Sequence, residues 1–95
     1  MLTVFAEHYL TAEGRVYFPT WTTELGKALK SVRGFRQLEG VEDVERPDRL
    51  LLLLTFDNTK ALMRWSSSDE HRQMAALLER YQVRKTYTQL LSAAG

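Results

Sequence analysis

The sequence predicts an α+β fold whose elements follow in the order strand, helix, strand, strand, helix, strand. Three observations carry this. Residues 2–11 alternate at period two, the spacing of a strand. Residues 16–32 and 58–81 repeat apolar side chains at three- and four-residue steps, the spacing of a helix. Between these two segments, Leu50 to Leu54 form an aliphatic run that is apolar on both faces, so both faces need cover. With 44 % hydrophobic and 26 % charged residues, the 95-residue chain is globular and fits one domain, 1–95.

In the first strand, 2–11, one alternate set is Leu2, Val4, Ala6, His8 and Leu10; the other includes Phe5, Glu7 and Tyr9. Residues 12–15 read as a short link. Proline lacks an N–H and belongs in a first helical turn, so Pro19 places the first helix from near Val16–Phe18 to about Val32. Phe18, Trp21, Leu25, Ala28, Leu29 and Val32 form its apolar stripe, and Gly34 is a natural stop. Residues 35–45 read as a charged edge strand with a bulge at Gly40. Residues 46–49 (Arg-Pro-Asp-Arg) read as a turn, and 50–56 as the next strand. Asn58 caps a short helix that the serines at 66–68 interrupt. Ser67 and Glu70 have capping-box spacing and restart it, with His71, Met74, Ala75, Leu78 and Tyr81 on one face. Residues 82–91 form the last strand, and the tail from Ser92 is expected to be loose. This order is the split-βαβ, ferredoxin-like pattern: a four-stranded antiparallel sheet with helices on one face. The other face, with Phe5, Tyr9 and one side of the leucine run, calls for a homodimer packed sheet to sheet.

Several function classes fall away. Without cysteine there is no disulfide, thiolate metal site or cysteine nucleophile, and two histidines cannot make a three-histidine zinc site. A net charge of +1 offers no general field for nucleic acid. No stretch approaches a membrane span and no targeting segment is visible, so a cytoplasmic protein is expected. Asp43, Glu45 and Asp48 read as solvated surface, and the serines at 66–68 as caps.

His8 is the informative residue, because a histidine on the helix-facing side of a strand needs a partner or a ligand. Trp65, before a helix break, can wall a cavity, and His71 lies at its rim. These three are the candidate catalytic residues. Phe18, Trp21, Leu25, Asn58, Met74 and Tyr81 are the expected substrate-contacting lining.

FAEHYL in the first strand, the VRGF step and ALMRWSSSDEHRQM, with its W-x-x-S-D step at Trp65, Ser68 and Asp69, together resemble the antibiotic biosynthesis monooxygenase family. The resemblance spans nearly the whole chain and implies a dimeric α+β barrel with a pocket in each subunit. Some members of that family oxidise polycyclic aromatic or quinol substrates with O₂ and neither metal nor flavin; one branch degrades haem. That branch has an asparagine in its first strand, a tryptophan before the second helical segment and a histidine iron ligand ten residues later. Here those positions hold His8, Trp65 and Ala75, and alanine cannot bind iron, so haem is disfavoured and no cofactor is expected. The implied activity is oxygenation of a small aromatic phenol or quinol; the competing reading is a non-enzymatic dimer that binds a small ligand.

Overall fold

The computed structural model describes residues 1–92. β1 (Leu2–Leu10), α1 (Ala12–Leu29), β2 (Phe35–Val41), β3 (Leu50–Phe56), α2 (Thr59–Ser66), α3 (Asp69–Glu79) and β4 (Gln82–Ser92) follow in the predicted order. The four strands form one antiparallel sheet ordered β2-β3-β1-β4. β2 is an edge, as its charge predicts. Of the tail expected to be loose, Ser92 ends β4, and 93–95 lie outside the described residues. No helix among the described residues is long and apolar enough to cross a membrane.

The leucine run is β3 with the predicted bounds. It pairs with β1 from Leu2 opposite Phe56 to His8 opposite Leu50. Leu52, Leu54 and Phe56 enter the core with Val4 and Leu10 from β1 and Phe18, Trp21, Leu25 and Leu29 from α1. Trp65, Met74 and Leu78 close it from α2 and α3. His8 lies on the same face of β1 as Val4 and Leu10, so it points beneath the helices.

Helix α1 differs from the prediction. It begins at Ala12, so residues 12–15 are its first turn rather than a link. Thr11 is the cap: its side chain accepts from the Gly14 N–H at 3.1 Å. The Thr11 N–H in turn donates to the Tyr81 carbonyl at 2.8 Å, tying the cap to the end of α3. Gly14 permits this approach, since a Cβ there would lie 2.6 Å from Tyr81 Cβ. Pro19 is therefore mid-helix, where it deprives the Arg15 carbonyl of its helical donor; both residues are exposed, the least costly place for that loss. The helix ends at Leu29, three residues early, and Gly34, at φ +90°, makes the left-handed turn into β2.

Two smaller corrections concern register. The irregularity in β2 lies between Phe35 and Gln37, while Gly40 pairs regularly with Leu52, and the strand stops at Val41 rather than 45. The α3 cap is Ser68, not Ser67: its side-chain oxygen accepts from the His71 N–H at 3.1 Å. Asn58 caps α2 as predicted, accepting from the Ala61 N–H at 3.0 Å.

The open face of the sheet carries Phe5 edge-on to Tyr87, Arg84 over the Tyr9 ring, and a cluster of charges. Arg49 donates twice to the Glu7 carboxylate, at 2.9 and 2.7 Å, and once to Asp43 at 2.8 Å. Asp43, expected as solvated surface, is thus half-buried and also accepts from the Glu45 and Arg46 N–H groups. The predicted turn at 46–49 closes with Arg49 N–H on the Arg46 carbonyl.

Candidate functional site

Where α1 crosses the end of the sheet, Phe18, Pro19 and Thr22 face residues 40–42 of β2 and its following loop and residues 49–52 at the start of β3. They enclose an open cleft of about 380 Å³, apolar except for Thr22, Glu42 and Arg49. A second, larger depression, about 620 Å³, is a surface feature at the start of α1, lined by Thr11, Ala12, Glu13, Arg80 and Tyr81. It holds none of the unpartnered buried polar atoms described below, so the smaller cleft is the better candidate.

His8 lies beside this cleft. It is 8 % exposed, pairs with the cleft residue Leu50 and packs its ring 5.1 Å from Phe18 and 5.4 Å from Trp21. Burial among these rings pushes its pKa down to about 4, against a smaller opposing pull from the Leu50 backbone. The imidazole is therefore neutral at pH 7. Its Nδ1 has no hydrogen-bond partner among the described residues, and neither has the buried Oγ1 of Thr22. Trp21 is fixed in turn: its indole N–H donates to the Met74 carbonyl at 2.9 Å, locking α1 to α3.

Trp65 and His71 form a separate pair, with rings perpendicular and 5.3 Å apart. Burial, then the Arg72 charge, lowers the His71 pKa. No ring contact among the described residues joins this pair to His8. Trp65 is buried in the core with Leu25 and Met74, and neither of the two depressions is lined by Trp65 or His8. Of the expected lining, Phe18 borders the cleft and Trp21 stands behind it on His8. Leu25 and Met74 are core. Asn58 spends its side-chain carbonyl on the α2 cap. Tyr81 packs on Tyr17 and receives an Arg80 hydrogen bond at the far end of α1.

Two features of the cleft escape the sequence reading. Thr22 was legible in principle, lying one helical turn after Phe18 on the same face. Arg49 was not, because its partner Glu7 is 42 residues away in sequence. The Arg49 hydrogen bond holds the Glu7 carboxyl below the usual range, and Arg49 does the same for Asp43.

Solved structures share this architecture. An antibiotic biosynthesis monooxygenase superposes with a TM-score of 0.83 at 16 % identity, covering all of both chains. The protein Rv0793 from Mycobacterium tuberculosis gives 0.84 at 15 % identity, over 99 % of this chain and 95 % of its own. A variant of SnoaB, a cofactor-independent oxygenase from Streptomyces nogalater, gives 0.74 at 12 % identity, over 99 % and 93 %. At such identities these likenesses establish the fold alone. No curated protein matches the sequence. The sequence profile of one family covers residues 1–77, more than half of the chain, and with it the strand of His8, all of α1 and the Trp65–His71 pair. The chain belongs to the antibiotic biosynthesis monooxygenase family.

Proposed function

We propose that this protein is a cofactor-independent monooxygenase acting on a small phenol- or quinol-type aromatic, held between helix α1 and the sheet. The observation that carries the reading is the unpartnered Nδ1 of buried His8 beside an apolar cleft. An apolar wall strips water from an aromatic hydroxyl, and a neutral imidazole accepts its hydrogen bond. With His8 at about 4 and a phenol near 10, full proton transfer costs about 8 kcal/mol before the ion pair forms. The phenolate is then a scarce species, and the rate rises with the acidity of the substrate. That electron-rich anion reacts with O₂. In an anthrone-type case a ring CH₂ becomes C=O, and the second oxygen leaves as water, so the substrate supplies every electron. Trp65 on α2 and His71 on α3 pair with each other away from the cleft and enter this scheme only by supporting the helix layer that Trp21 ties to α1.

Oxygen uptake with a panel of hydroquinones and anthrones tests the reading. Uptake is expected with the wild type and at least tenfold slower with His8→Ala. Unchanged uptake after both His8→Ala and Trp65→Ala removes this site assignment. A ligand-binding dimer without turnover is the second reading, favoured by the filled core around Trp65 and Met74. Binding without oxygen uptake would select it. Haem suits this chain poorly: Ala75 offers no ligand and His71 is held edge-on against Trp65. A hemin titration with a Soret shift that is lost in His71→Ala would reverse that judgement. The homodimer is supported by Tyr87 and Leu91, both more than 40 % exposed on the open sheet face, at 49 % and 42 %. Sedimentation at micromolar concentration should give twice the chain mass; a monomer would contradict the pairing.

A further inference from the structure

We propose that Gly40 is the specificity-determining residue of the cleft: its missing side chain leaves room for a second, fused aromatic ring of the ligand. This rests on the cleft being the ligand site, as the oxygenase reading does, but not on any reaction with oxygen.

Neither backbone nor packing calls for a glycine here. Among the described residues only Gly34 has a positive φ, so the Gly40 backbone is one that any residue adopts. A Cβ at Gly40 would meet no atom within 4 Å, whereas at Gly14 and Gly34 it would lie 2.6 Å from a neighbouring side chain. The pairing is regular, Gly40 with Leu52 and Leu38 with Leu54. A glycine inside a regular strand weakens it, and often marks a site where a ligand or another backbone comes close.

The register shows which way the missing side chain would point. Leu52 and Leu54 belong to the core beneath the helices, so Leu38 and Gly40 face α1 as well. Leu38 reaches it: Cδ2 is 3.6 Å from the place of a Gly26 Cβ. There a large residue on the strand meets a small one on the helix, and the gap is filled. Gly40 is two residues further along β2, and Thr22 is one turn back along α1. Both border the cleft. At this level neither layer supplies a large side chain to the other, and the space stays open between Phe18, Pro19, Leu50 and Leu52.

Shape and charge together select the ligand. Bare main chain on one side and apolar side chains on the other suit the face of a flat ring system. A carboxylate is a poor fit. Arg49, the cation of the cleft, is already held by Glu7 and Asp43, and Glu42 also lines it. A neutral fused-ring phenol meets both conditions.

Equilibrium dialysis without oxygen, with 2-naphthol and single-ring phenol as probes, is paired with thermal unfolding of the same proteins. Gly40→Ala, Gly40→Val and Gly40→Leu should weaken 2-naphthol in that order, by about tenfold or more for leucine. Phenol should lose less at each step, so the ratio of the two affinities falls. None of the three should lower the melting temperature. Alanine should raise it by about 2–6 °C, because its Cβ meets nothing and the backbone is already one it adopts. Gly26→Ala, outside the cleft, should leave both affinities within about twofold. The inference is overturned if leucine weakens both probes equally or neither, if affinity falls only in step with the melting temperature, or if the wild type binds no 2-naphthol. Size-dependent loss of 2-naphthol in a protein that takes up no oxygen would sink the oxygenase reading and leave this one standing. Oxygen uptake that Gly40→Leu leaves unchanged would do the reverse.

Discussion

Lowering the pH from 7 to 4 tests the state of His8. Burial holds its folded pKa at about 4, against 6.5 in the unfolded chain. Between those values the unfolded chain binds a proton that the folded chain refuses. The folded value is the lower one, so the contribution is complete above pH 6.5 and is lost as the pH falls toward 4. At about 1.36 kcal/mol per pH unit, the interval amounts to about 3 kcal/mol. For a small domain of 5–15 kcal/mol total stability, roughly, that is a large share. Urea unfolding at half-unit pH steps should show the loss in the wild type and a flatter profile in His8→Gln. His71 is present in both proteins, so its own titration cancels. The Glu7 carboxyl, held below the usual range by Arg49, enters at more acid pH than an ordinary glutamate. The imidazole Cε1–H resonance of folded His8 should titrate near pH 4. A midpoint near 6.5, or parallel stability curves for the two proteins, would refute both the burial argument and the neutral imidazole on which the proposed chemistry depends.

Three other substitutions probe the frame around the site. Trp21→Phe removes the buried bond to Met74 and part of a ring; about 2 kcal/mol should be lost, a drop in melting temperature of about 10 °C by calorimetry. Gly34→Ala forces a side chain into φ +90° and sets its Cβ 2.6 Å from Ala61 Cβ, and should cost about 2–4 kcal/mol in urea unfolding. Glu7→Gln leaves Arg49 with Asp43 alone: it should be less stable than the wild type at pH 7, and the gap should narrow as the pH falls through the lowered range of the Glu7 carboxyl.

Where one physical signal stood alone, the sequence was readable. Leu50–Phe56 is apolar throughout, so β3 has the predicted bounds; Asn58 and the serine break likewise mark the ends of α2. The prediction failed where two local rules competed. Pro19 favours a first turn, but Thr11 caps the helix seven residues before Ala12–Leu29 reaches the stripe's Phe18, and the tertiary bond from Thr11 to Tyr81 decides the start. The serines at 66–68 offer adjacent caps, and only the folded geometry selects Ser68. For the site, alternation along β1 was enough to turn His8 under the helices. It gave no depth information, so the relation of His8 to Trp65 was invisible: the first packs on Phe18 and Trp21, the second on His71. The Arg49 bridge from Glu7 to Asp43 had no sequence signal, because β-strand register creates it.

The unpaired atoms carry a thermodynamic argument of their own. Each buried polar atom without a partner costs about 1–3 kcal/mol, so His8 and Thr22 together cost the free protein about 2–6 kcal/mol. A leucine at position 8 and a valine at position 22 would avoid that cost, and β1 and α1 accept such residues elsewhere on the same faces, at Val4, Leu10 and Leu25. Folding therefore does not call for these polar groups. The rigid surroundings keep the atoms from finding partners of their own: Trp21 is locked to Met74, and His8 is wedged against Phe18 and Trp21. Double replacement by leucine and valine should then raise stability in urea unfolding, whereas a pair of groups that the fold requires would lose stability.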